Sequence, residues 1–230
     1  MKQSEHVCVI FDLDGTLVDS ERPCNQAFLD LLPQLDDSVE SLMERFRGRR
    51  LSTILGELSQ QLGAPLPPDF EHRYRRRVAE LFETHLQPTP GTREMLASTQ
   101  FPRCVASSGP PEKISQALAI SGLTGFFGGH VFSSYQVQSW KPDPGLFLHA
   151  ARTMGFPPDR CVVVEDSEVG LRAAAAAGMR ALHFVPRSGV SLDLASGRLH
   201  DMAHLPPLIA LLNKAKPQQT TVVGCRVGQP

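Results

Sequence analysis

Val7-Cys8-Val9-Ile10-Phe11-Asp12-Leu13-Asp14-Gly15-Thr16 sets a short apolar run directly against two carboxylates. The run, residues 7–11, has the length and β-branched content of a strand. The acids then fall at its C-terminal end, where open parallel sheets place their ligands. Two acids one residue apart at a strand end repel each other and face desolvation, so something must compensate them, and a divalent cation is the usual solution. Asp14-Gly15 is also a strong turn signal, so the pair alone reads either as a site or as a turn.

Working outward, further strand-like runs occupy residues 103–107, 130–133, 161–165 and 180–185. Helical spacing fills 91–98, 111–121, 143–154 and 167–177, with Gly122, Gly155 and Gly178 set just past three of these ends as caps. Strand followed by helix, repeated, predicts an α/β fold with a parallel sheet. Residues 20–87 break the alternation: helical segments separated at 32–37, 46–50 and 63–68 predict an all-helical insert. Residues 1–19 and 88–215 are therefore expected to form the α/β core, and 20–87 a helical cap able to close over a site. A short apolar helix is expected at 205–212, and residues 216–230, rich in Gln, Thr, Gly and Pro, are expected to be a loosely held C-terminal tail.

Composition narrows the function classes. With 41% hydrophobic and 20% charged residues, the 230-residue chain can build a core and is not predicted to be disordered. Twenty-three basic residues against 24 acidic ones leave a formal charge of -1, which gives no field to draw nucleic acid or anionic lipid. The polar N-terminus and its five-residue apolar run are too short for a signal peptide or a membrane span, so a cytoplasmic location is expected, with no obligate protein partner implied. Five cysteines, three of them (Cys8, Cys104 and Cys161) inside apolar runs, predict no disulfide framework. His200 and His204 lack a third ligand nearby in sequence. Arginine outnumbers lysine 18 to 5, so each lysine is rare and Lys141 stands out.

Three further segments carry chemistry. Val162-Val163-Val164-Glu165-Asp166-Ser167 repeats the acidic strand end ahead of a helix, which Asp166 or Ser167 could equally cap. Taken with Asp12 and Asp14, it supplies the oxygen ligands of a magnesium site completed by water and phosphate. Val105-Ala106-Ser107-Ser108-Gly109 ends another strand in hydroxyls, and Pro110 and Pro111 then start a helix whose free N–H groups suit either a phosphate or an ordinary cap. Trp140-Lys141-Pro142-Asp143-Pro144 places a lysine before a helix, where its ammonium could offset phosphate charge.

In this order the four segments resemble those of the haloacid dehalogenase-like phosphohydrolases, over residues 7–212. The resemblance implies a Rossmann-like core with an inserted all-helical cap of the β-phosphoglucomutase and phosphoglycolate phosphatase type. The pattern is most similar to bacterial sugar-phosphate phosphatases of that group. It implies Asp12 as nucleophile and Asp14 as general acid and base. Ser107, Ser108 and Lys141 would bind phosphate, and Asp12, the backbone carbonyl of Asp14, Glu165 and Asp166 would hold Mg²⁺. Asp14 stands where dehalogenases of this fold lack an acid, which argues for phosphoryl transfer.

Cys24 occupies the position of a histidine carried by the β-phosphoglucomutases, which favours hydrolysis over the alternative of a hexose-phosphate mutase. A non-catalytic phosphosugar-binding regulator would have no need of Asp14. The expected partner is a small phosphorylated metabolite, a sugar or sugar-acid phosphate such as 6-phosphogluconate. Specificity is expected in the insert, whose nine arginines face eleven acids. Arg45, Arg47, Arg49 and Arg50 cluster locally around Gly48 there, and Arg47, Arg49 and Arg50 are the residues expected to read a second anionic group. Arg73, Arg75, Arg76 and Arg77 run around a helix and are expected to face solvent.

Overall fold

The structure, a computed structural model, describes residues 7–185 and 195–214. Strand β1 (Cys8–Phe11) is followed by helices α1 (Glu21–Leu31), α2 (Val39–Phe46), α3 (Leu51–Gln61), α4 (Phe70–His85) and α5 (Thr92–Ser98) before β2 (Arg103–Ser107). Then come α6 (Pro111–Ile120), β3 (Val131–Ser133), α7 (Ser134–Val137), α8 (Gly145–Met154), β4 (Cys161–Glu165), α9 (Glu168–Ala176), β5 (Arg180–Phe184), β6 (Gly197–Leu199) and α10 (Leu205–Lys214). The six strands form one sheet in the order β3-β2-β1-β4-β5-β6, with every neighbouring pair parallel. The chain winds outward from β1 to β3, then returns to lay β4 against the other side of β1. This reversal opens a crevice at the C-terminal ends of β1 and β4, which is where a doubly wound sheet binds its ligand.

The strand alternation sorts the core into two layers. Val9, Phe11, Val105, Val162 and Val164 face α5, α6 and α10, whereas Cys8, Ile10, Cys104, Cys161 and Val163 face α8 and α9. Two of the four alanines of α9, Ala173 and Ala174, are fully buried and let that helix lie close to the sheet. The insert has an aromatic centre continuous with the first layer: Phe28 stacks on Tyr74 at 4.3 Å and meets Phe46 edge-on at 5.9 Å. Its two connections run side by side, with Asp19 N–H donating to the Gln87 carbonyl at 3.0 Å and Thr89 N–H to that of Leu17 at 2.9 Å.

The expected strands and helices recur with ends shifted by at most two residues, and Gly122, Gly155 and Gly178 take positive φ just past their helices. Two elements were not anticipated. The edge strand β6, Gly-Arg-Leu, has no apolar run to mark it, and α7 is a single turn capped by Ser133, whose Oγ accepts the Tyr135 N–H at 3.1 Å. The expected tail, 216–230, lies outside the described residues. Among the described residues no helix is long and apolar enough to cross a membrane.

Candidate active site

Asp12 leaves β1 with its N–H bonded to the Val164 carbonyl at 3.0 Å, which pins it beside the end of β4. There Asp12, Glu165 and Asp166 bring one oxygen each within 4.8 Å of one another. All three are removed from most solvent, and Asp12 and Glu165 are 6% and 1% exposed. Two glycines make this crowding feasible. A Cβ on Gly170, in the first turn of α9, would overlap the Glu165 carboxyl, and one on Gly15, where φ is +79°, would overlap that of Asp166. Ser167 caps α9, accepting the Gly170 N–H at 3.2 Å, and its own N–H and Oγ donate to Glu165 at 3.1 and 2.7 Å. Thr16 Oγ1 donates to Asp166 at 3.3 Å, and a ring nitrogen of His183 lies 3.2 Å from the Asp166 carbonyl.

Lys141, only 4% exposed at its side chain, bridges the cluster by donating to both Asp12 and Glu165, the latter at 2.7 Å. One ammonium does not balance three carboxylates. Burial and the neighbouring Glu165 push the Asp12 carboxyl up to about 8, against the pull of Lys141, and burial with Glu165 and Asp12 pushes Asp166 well above its usual range. Burial disfavours the Lys141 charge, yet Asp12 and Glu165 hold that ammonium above its ordinary value. A buried, oxygen-only donor set with surplus negative charge fits a hard divalent cation.

Asp14, two residues on, points elsewhere. Its Oδ1 accepts from Ser20 at 2.5 Å and from Lys113 at 2.7 Å, so although burial would raise its carboxyl, Lys113 and Ser20 hold it below the usual range. The Asp14 carboxylate thus stands apart from the group formed by Asp12, Glu165 and Asp166. Ser107 is fully buried at the end of β2 and its Oγ accepts the Gly109 N–H at 3.0 Å, while Ser108 and Gly109 line the cavity above.

That cavity, ≈ 660 Å³, runs from Asp12 and Lys141 to the insert and falls in the size range of small-molecule sites. Arg47, Arg49 and Arg50 line it, and Arg45 does not. Arg75, expected to face solvent, also lines it, donating to Tyr135 at 2.9 Å and so joining α4 to α7. Arg77 keeps to the surface with Asp30 and Glu80. Cys24 lines the cavity as well, and burial pushes its thiol up to about 11. Sequence reasoning missed Lys113. The rarity of lysine that singled out Lys141 applied equally to it, in the first turn of the helix opened by Pro111.

Comparison with known proteins agrees with this architecture. The haloacid dehalogenase-like hydrolase family matches residues 7–178. The chain is 36% identical to the 6-phosphogluconate phosphatase of Escherichia coli K12 over 76% of its own length and 81% of that protein's. It is 33% identical to a fructose-1-phosphate phosphatase of the same organism, over 76% and 94%. In structure it is similar to a conserved haloacid dehalogenase-like protein of Agrobacterium tumefaciens, with a TM-score of 0.78 and 32% identity over 90% of this chain and 99% of that one.

Proposed function

The chain belongs to the haloacid dehalogenase-like hydrolases, and on that footing we propose that it is a magnesium-dependent phosphatase of small sugar or sugar-acid phosphates. The observation that carries the reading is the meeting of Asp12, Lys141, Glu165 and Asp166 at the mouth of the β1–β4 crevice, with Asp14 two residues away on the same cavity. Likeness to two sugar-phosphate phosphatases supports the substrate class.

In this reading a carboxylate oxygen of Asp12 attacks phosphorus as the ester P–O bond breaks, giving an aspartyl-phosphate and freeing the alcohol, which takes a proton from Asp14. Asp14 then accepts a proton from the water that attacks the phosphorus, and the Asp12–phosphorus bond breaks to release phosphate. The second step calls for ionised Asp14, the state favoured by Lys113 and Ser20. The first calls for its acid form, so an incoming phosphate that draws Lys113 away prepares it. Lys141 and Ser108, which line the cavity, meet the charge on the transferring group, and the buried Ser107 supports them by accepting the Gly109 N–H. Asp12, Glu165, Asp166 and the Asp14 carbonyl would hold Mg²⁺, which when bound supplies positive charge to the phosphoryl oxygens. Cys24, whose thiol stays protonated at neutral pH, offers no acid–base partner for a mutase, which supports hydrolysis.

The test is phosphate release from a panel of sugar, sugar-acid and glycolate phosphates, with and without Mg²⁺. Metal-dependent release that disappears in Asp12→Asn, with an unchanged circular dichroism spectrum, is the expected result. Full turnover in that variant removes Asp12 as nucleophile, and conversion of β-glucose 1-phosphate to glucose 6-phosphate without net release replaces hydrolysis by mutase activity.

A further inference from the structure

The cations lining the cavity are not equivalent. Arg47 is paired with Glu21 at 3.0 Å, Arg49 with Glu57 at 2.6 Å and Arg75 with Glu71 at 2.5 Å. Lys113 and Lys141 are engaged by Asp14, Asp12 and Glu165. Among the described residues, Arg50 alone of the six has a guanidinium with neither a carboxylate nor a hydrogen-bonded partner. It lies 4.0 Å over the ring of Trp140, and the Trp140 Nε1 is itself buried with no partner. The indole has a second aromatic neighbour: Tyr135 meets it edge-on at 5.5 Å, and Arg75 holds the Tyr135 hydroxyl at 2.9 Å.

We propose that Arg50, laid on Trp140, reads a carboxylate at the end of the substrate remote from the phosphoryl group; this rests on the phosphatase reading above. A guanidinium held 4.0 Å over an indole spends none of its N–H groups on a protein acceptor, and two of them can match a carboxylate two bonds at a time. The platform contains Trp140, next in the chain to Lys141, so one loop anchors both ends of the substrate: Lys141 at the phosphoryl end, Trp140 beneath the tail reader. Arg50 enters from the insert and Trp140 from the α/β part, so the reader is complete only with the two in contact. Arg47 and Arg49, expected to share this role, are committed to acids of the insert instead. Trp140 acts as a positioning residue, through Arg50.

The experiment is calorimetric titration of the Asp12→Asn protein, blocked for turnover, with Mg²⁺ and either 6-phosphogluconate or glucitol 6-phosphate, which has the same carbon count and an uncharged end. The acid is expected to bind at least about tenfold more tightly than the polyol. Adding Arg50→Gln is expected to bring the two within about twofold. Trp140→Leu, which keeps the guanidinium and removes its platform, is expected to give an intermediate ratio. A preference that survives Arg50→Gln, equal binding of the two by the starting protein, or binding of neither overturns the proposal. Failure of the phosphatase reading shows separately, as absence of phosphate release from wild-type protein and Mg²⁺.

Discussion

Lys113 and Asp14 form an ion pair whose partners are each about a quarter exposed, so its worth is best read through pH. A depressed carboxyl contributes stability above its unfolded value, near 4, and loses it as pH falls through the folded value. The urea midpoint of Lys113→Met is therefore expected to lie below that of wild type at pH 7, with the gap closing below about pH 4. A gap that persists unchanged in acid would mean that Lys113 acts through packing alone. Asp12 has the opposite sign: with no metal bound, its carboxyl holds a proton up to about 8. A cation must displace that proton and any held by the likewise raised Asp166, so apparent Mg²⁺ affinity is expected to rise from pH 6 towards 8 by about tenfold per pH unit for each proton displaced, with proton release seen by calorimetry in buffers of different ionisation enthalpy. A flat profile would show Asp12 already ionised. The acids of this site were legible because they stand at strand ends in a recognisable string. Arg75 was not, because helical periodicity cannot say which side of α4 meets Tyr135 when Tyr135 itself sits on the unforeseen single turn α7.

The elements divide by how locally they are encoded. β1 and β4 are buried throughout, the first apolar along its length and the second apolar up to Glu165, and their reading from sequence needed only length and β-branching. β6 is a three-residue edge strand whose pairing with β5 is decided by where the chain returns, so no local pattern announces it. In the insert, Phe28 of α1 is the joint between α2 and α4 through its contacts with Phe46 and Tyr74. Phe28→Ala is expected to cost about 3–5 kcal/mol in equilibrium urea unfolding if the insert and core unfold together. A separate early transition carrying that loss would show that the insert unfolds alone. At the start of α9, Gly170→Ala is expected to cost about 1–3 kcal/mol and to weaken Mg²⁺ binding, because the added methyl displaces Glu165. Normal metal affinity in that variant would mean that Glu165 has room to move.

For the whole molecule, the proposed cation site ties a residue that follows the first strand to residues at the end of the fourth. A ligand held by the native state alone stabilises it by about 2.7 kcal/mol at a hundred times its dissociation constant. Saturating Mg²⁺ is expected to raise the melting temperature of wild-type protein, and the rise is expected to vanish in Asp166→Ala; an equal rise in both would place the cation elsewhere. The sheet order also constrains synthesis. Thr16 and Asp166, bonded to each other in the finished site, are 150 residues apart in the chain. At about 5–20 residues per second, the ribosome leaves the first acidic string waiting roughly 8–30 s for its counterpart to emerge. Throughout that interval one flank of β1 has no neighbour, an open edge on the nascent chain. The strand that leads into the proposed catalytic centre is thus a segment in need of chaperoning until β4 arrives.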